Sequence, residues 1–108
     1  MILPEAEKNS EPSWFGFAIS LRQNNQYNRN DLVKYLNDNK IATRLLFSGN
    51  LTKQPYMKDL FFRVNGHLKN TDFIMENTFW IGLYPGLSFE HLDYTINKFK
   101  NYFKNDFK

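Results

Sequence analysis

The chain has 108 residues, no cysteine and a net charge of +3, with 14 Lys and Arg set among 11 acids. This length fits one domain that buries about two thirds of its extended surface, and the missing thiols exclude disulfides, thiolate metal sites, iron–sulfur ligation and cysteine nucleophiles within the chain. The spread, mild basicity is a weak footprint for nucleic acid, and no apolar run approaches the about 20 residues that span a membrane, so the expectation is a cytoplasmic chain with neither nucleic acid nor membrane as partner.

Residues 1–12 (MILPEAEKNSEP) are charged, carry two prolines and show no periodicity. They read as a lead-in or linker, and suggest a chain cut from something larger. Residues 13–21 (SWFGFAISL) are aromatic and β-branched, the composition of a strand, with Gly16 allowing close approach. A polar connection over 22–27 (RQNNQY) follows. Asn28 is a good helix cap and Asp31 a carboxylate in the first turn. Leu32, Val33, Leu36 and Ile41 then set an apolar stripe on a helix over 28–40.

Residues 41–56 (IATRLLFSGNLTKQPY) begin as a strand, Ile41, Thr43 and Leu45 alternating with Ala42, Arg44 and Leu46. Ser48-Gly49-Asn50 breaks the pattern, and Asn50, Thr52, Gln54 and Tyr56 follow with Pro55 among them. A strand that delivers one Arg into an amide-rich loop suits a polar ligand edge; an ordinary surface loop fits these residues equally. Residues 56–64 suggest a short helical turn and then an extended piece. A short helix from Asn70 or Thr71 to about Asn77 has Asp72 in its first turn. Residues 78–83 (TFWIGL) read as a third strand, on which Trp80, like Trp14 on the first, is expected in the core. Ser88 caps a last helix whose Phe89, Leu92, Ile96, Phe99 and Phe103 form one seam toward the core. The period changes from two to 3.6 and back. The fold class is therefore α/β (α+β): a small two-layer domain of about three strands, a helix after the first, a short helix and a long C-terminal helix.

Complete catalytic machinery is missing. His67 and His91 have no companion at ligand spacing, so no metal site is expected. Ser48-Gly49 lacks the flanks of a nucleophile elbow, no glycine-rich loop follows a strand, and nothing in the sequence desolvates Lys40 or Lys53.

Four blocks carry a resemblance: PSWFGF (12–17), ATRLLFSGNLTKQPY (42–56), NTDFIM (70–75) and NTFWIGLYPGL (77–87). Together they resemble the C-terminal segment of the CDP-4-keto-6-deoxyglucose-3-dehydrases, the lipopolysaccharide-pathway branch of the DegT/DnrJ/EryC1/StrS aminotransferase superfamily. The resemblance implies that residues 13–108 are the small domain of a fold-type I vitamin B6 enzyme whose large cofactor domain is absent. It further implies a parent that uses pyridoxamine or pyridoxal phosphate and a 2Fe-2S cluster. A reductase partner supplies electrons, and the 3-hydroxyl of a CDP-linked 4-keto-6-deoxyhexose is lost on the way to 3,6-dideoxyhexoses for O-antigen. The full-length parent is expected to be a homodimer. This fragment alone is expected to hold no cofactor, no metal and no catalytic residue.

Carried onto this chain, the same blocks put Arg44, Asn50, Gln54 and Tyr56 at the sugar-nucleotide edge, with Trp14 and Phe15 in support. Arg44 would pair with diphosphate or hydroxyls, unless it is spent on a salt bridge within the domain. Phe73 departs from the pattern, standing where relatives carry an arginine. A sugar-nucleotide aminotransferase domain and a freestanding binding or interaction module are the alternatives.

Overall fold

The computed structural model describes residues 1–23 and 26–104. Part of the polar connection over 22–27, and the last residues of the expected small domain, lie outside the described residues. Three antiparallel strands, β1 (Gly16–Ser20), β2 (Thr43–Leu45) and β3 (Thr78–Gly82), form one sheet with β3 in the middle. Three α-helices, α1 (Arg29–Asp38), α2 (Lys69–Asn77) and α3 (Phe89–Tyr102), complete the α+β layers expected from the alternating periods.

The register sets which side chains share a face. Phe17 lies opposite Ile81 and Ile19 opposite Phe79. These side chains meet Leu32 and Leu36 of α1 and Phe99 and Phe103 at the end of α3. Phe79, Leu32 and Leu36 are fully buried at the centre. On the other face, Ala18 and Arg44 both lie opposite Trp80, and the side chains of Ser20 and Thr78 share a hydrogen bond of 2.7 Å.

Local chemistry fixes the helix ends. The Asn28 side chain accepts the Asp31 N–H at 2.9 Å, the cap expected of it. At the other end of α1, Ile41 N–H donates to Leu36 C=O and Lys40 N–H to Asn37 C=O, the paired bonds of a Schellman stop. Lys40 sits there at φ 64°, a left-handed position usually given to glycine. Ile41 is therefore spent on the stop, and β2 starts only at Thr43. Asn37 fastens that start, its amide donating to Thr43 Oγ1 and its Oδ1 accepting the Thr43 N–H. At the start of α3, His91 accepts the Ser88 N–H at 3.1 Å. It does the work of a capping-box Glu or Gln.

Three expectations are corrected. The α3 seam does not face the core along its length: Phe99 and Phe103 are buried, but Phe89 is 86% exposed and Leu92 and Ile96 are also exposed. Among the described residues, the first two turns of that helix touch the rest of the domain through Tyr94, whose hydroxyl donates to Asn39 C=O at 3.0 Å, and this stripe stays open. Trp14 is exposed ahead of β1, and Trp80 is half-buried on the sheet face opposite the helices, because β3 alternates and gives the core side to Phe79 and Ile81. The surface burial is also smaller than the length implied. The chain exposes 8908 Å², against about 6,300 Å² for a folded monomer of its mass and about 18,700 Å² for the extended chain. About half is buried, not two thirds. The lead-in is not detached, since Ile2 and Ser20 exchange both backbone hydrogen bonds on the outer side of β1.

Candidate functional site

The sheet face turned away from the helices carries the arrangement with most chemical character. Trp80 lies at its centre. Phe15 packs against it with ring centroids 4.9 Å apart, and Phe47 meets it edge-on at 5.5 Å. Gly16 makes the room: a Cβ there would stand 2.5 Å from Trp80 Cε3. Arg44 lies directly opposite Trp80 in the ladder, so the two side chains are neighbours on one face. Phe15, Gly16, Arg44, Leu45, Phe47 and Trp80 line an open cleft of about 530 Å³. The salt bridge within the domain that competed for Arg44 is not formed, since the one ion pair among the described residues is Lys53 with Asp72.

Backbone strain aims Phe47. The chain leaves β2 through a tight turn, Phe47 N–H donating to Leu45 C=O at 2.9 Å, and Phe47 itself takes φ 47°. An aromatic residue in the left-handed region costs of the order of 1–3 kcal/mol and persists only where its surroundings hold it. The ring that results is 80% exposed, and Phe15 across Trp80 is 81% exposed.

The amide-rich loop is a fastened structure. Gly49 has φ 60° and lies so close to α2 that a Cβ would meet Met75 Cγ at 2.3 Å. Asn50 is 2% exposed. Its amide donates to Asp72 at 2.7 Å, while its Oδ1 accepts from the N–H and hydroxyl of Thr52. Lys53 reaches the same Asp72 oxygen at 2.9 Å. The Asn50 hydrogen bond first, and then Lys53, hold the Asp72 carboxyl below its ordinary range. Gln54 donates its side-chain amide to Ser48 C=O at 2.6 Å. Two of the expected substrate residues, Asn50 and Gln54, thus have their side chains committed inside the loop. Tyr56 follows on a one-turn 3-10 segment (Pro55–Met57) and is exposed. Arg44 is exposed at the cleft. Phe47 and Trp80 were missed as site residues by sequence reading; the available signal was the register that sets a strand Trp opposite a strand Arg.

A second cleft of about 550 Å³ lies among Gln23, Tyr27, Asn28, Arg29, Asp31 and Glu76. Its charges are mixed, Asn28 and Asp31 serve the α1 cap, and Arg29 donates to the Thr78 carbonyl.

Residues 1–100 match the DegT/DnrJ/EryC1/StrS aminotransferase family. The chain belongs to that family. It is 56% identical over 105 residues to the lipopolysaccharide biosynthesis protein RfbH of Salmonella typhimurium, covering 97% of this chain and 24% of that one. It is 41% identical over 96 residues to the dTDP-4-dehydro-2,6-dideoxy-D-glucose 3-dehydratase of Saccharopolyspora spinosa, covering 89% of this chain and 21% of that one. The fold matches the Escherichia coli GDP-4-keto-6-deoxy-D-mannose-3-dehydratase with bound hydrated PLP, at TM-score 0.74 and 26% identity over 89% of this chain and 25% of that one. A mutant of GDP-4-keto-6-deoxymannose-3-dehydratase with bound GDP-perosamine matches at TM-score 0.75 and 26% identity, again over 89% of this chain and 25% of that one. The chain therefore spans only about a quarter of the length of these DegT/DnrJ/EryC1/StrS relatives. Among its described residues, no helix is long and apolar enough to cross a membrane.

Proposed function

We propose that this chain is the small domain of a vitamin B6-dependent sugar-nucleotide 3-dehydratase. In this reading residues 13–108 form that domain, residues 1–12 lead into it, and the parent enzyme removes the 3-hydroxyl of a CDP-linked 4-keto-6-deoxyhexose in the cytoplasm. The observation that carries the proposal is Arg44, without an acidic partner among the described residues, at the mouth of an open aromatic cleft, on a chain 56% identical to the RfbH protein of lipopolysaccharide biosynthesis. Surface area supports it too. The chain exposes 8908 Å², about 2,600 Å² more than a folded monomer of its mass should, and Phe89, Leu92 and Ile96 are part of that excess. A larger domain of the same polypeptide would cover them. The homodimeric state, the 2Fe-2S cluster and the partner reductase rest on the family resemblance.

The roles of the four expected substrate residues divide. Arg44 meets the charged part of the sugar nucleotide, where a planar guanidinium can hold two phosphate or hydroxyl oxygens at once. Tyr56 is exposed on the Pro55–Met57 turn, outside the cleft lining. Asn50 and Gln54 hold the shape of the loop through their buried and internal hydrogen bonds. A resident pyridoxal phosphate does not fit these residues: no lysine among the described residues is buried, and Arg44 is the one cation in the cleft lining. No cofactor step is assigned to them.

Arg44→Met in the natural protein tests the reading. The expected result is a KM for the nucleotide-linked sugar raised about tenfold or more, the loss of one charge-assisted pair, with the cofactor absorbance unchanged. An unaltered kcat/KM would remove Arg44 from the substrate edge.

A further inference from the structure

We infer that the Phe15–Trp80–Phe47 wall is a base-tolerant stacking platform for the nucleobase of the nucleotide-linked sugar, with Arg44 beside it taking the diphosphate. The inference rests on the substrate-edge reading above and adds a ligand moiety and residues to it.

Three features converge. Phe15 and Phe47 are about four-fifths exposed yet held in place, each packed on the same Trp80 ring. Phe47 is held there at a left-handed φ of 47°, strain of the kind that gathers at ligand clamps, and its contact with Trp80 still leaves the ring 80% exposed. The cation is adjacent: Arg44 lies across the ladder from Trp80 and has no acidic partner among the described residues. Exposed rings next to an unpaired guanidinium match a planar base joined to a phosphate, and they match poorly an apolar peptide, which would leave Arg44 buried and unpaired.

The polar groups on the wall also define what it can read. Amides and carboxylates that would discriminate base edges are missing from the cleft lining, and Asn50 and Gln54 are engaged elsewhere. Stacking without edge contacts accepts any base, because every base has a π face.

The test is a titration of the natural protein with CDP, GDP, dTDP and inorganic pyrophosphate, with the Trp80 signal taken as the difference in fluorescence between the parent and a Trp80→Phe variant. CDP, GDP and dTDP should bind within about tenfold of one another and quench Trp80, each binding about tenfold or more tightly than pyrophosphate. Phe47→Leu and Phe15→Leu should each weaken all three nucleotides about fivefold or more and leave pyrophosphate unchanged, whereas Arg44→Met should weaken all four ligands. Phe15 precedes β1, so its variant keeps the test open if the Phe47 variant fails to fold. Pyrophosphate binding as well as the nucleotides, or both Phe variants retaining full nucleotide affinity, overturns the platform and leaves the Arg44 reading standing. Loss of all binding in no variant, Arg44→Met included, overturns both. Protection of the wall by another segment of the polypeptide, seen as unquenched and blue-shifted Trp80 emission at every ligand concentration, also overturns it.

Discussion

Replacing Gly49 by alanine should detach the amide-rich loop from α2, and the size of the effect can be worked out. Gly49 has φ 60°, and its new Cβ would meet Met75 Cγ at 2.3 Å and Met75 Cβ at 2.7 Å. The left-handed position costs a non-glycine residue about 1–2 kcal/mol, of which about 0.5–1 kcal/mol is returned by the stiffer unfolded chain. Overpacking adds about 1–3 kcal/mol, because Met75 cannot move without losing the Asn50 N–H, which its sulfur accepts at 3.3 Å. The expected loss is about 1–4 kcal/mol, or about 5–20 °C in Tm for a domain of this size. Gly66 supplies the control. It has φ 74° but nothing within 4 Å of a built Cβ, so Gly66→Ala should cost about 1 kcal/mol or less from strain alone. Urea unfolding followed by circular dichroism measures both, and Met75→Ala in the Gly49→Ala background should recover part of the loss as a coupling above about 0.5 kcal/mol. Equal losses for the two glycines would refute the packing argument and leave only backbone strain.

Other expected outcomes follow from single residues. Lys40→Gly should stabilise the chain by about 0.5–1 kcal/mol, because Lys40 ends α1 at φ 64°; a lower urea midpoint would contradict the helix-stop assignment. Phe79→Ala should cost about 3–5 kcal/mol, the usual price of emptying a fully buried aromatic site, and retention of cooperative unfolding near the parent midpoint would count against its central place. The Asp72 carboxyl is held low by Asn50 and then Lys53, so its contribution is fully present above the ordinary aspartate value of about 4 and fades as pH falls through its lowered folded value. Asp72→Asn should therefore flatten the acid limb of the stability curve between about pH 5 and pH 2, and an unchanged acid limb would remove Asp72 from the loop clamp.

Much of this protein was legible in the order of its residues. Asn28 capping α1, the helix ending at Asn77 and the strand beginning at Thr78 all follow from local chemistry, since caps, periods and turn residues act within a few positions. Sequence periodicity also put Phe89, Leu92 and Ile96 on one stripe of α3 with Phe99 and Phe103. It could not tell that only the last two meet this chain's own core, because a stripe declares that a face will be covered and says nothing of what covers it. The same limit applies to the loop. Asn50 and Gln54 offer amides suited to a ligand, and only the folded loop commits them, Asn50 to Asp72 of the neighbouring α2 and Gln54 to the Ser48 carbonyl. Trp80 shows the division most plainly. Its aromatic, strand-forming character was local information, but which face it takes was decided by pairing with β1 and β2, because alternation along β3 lets one face be buried and the register across strands fixes which neighbours a side chain meets.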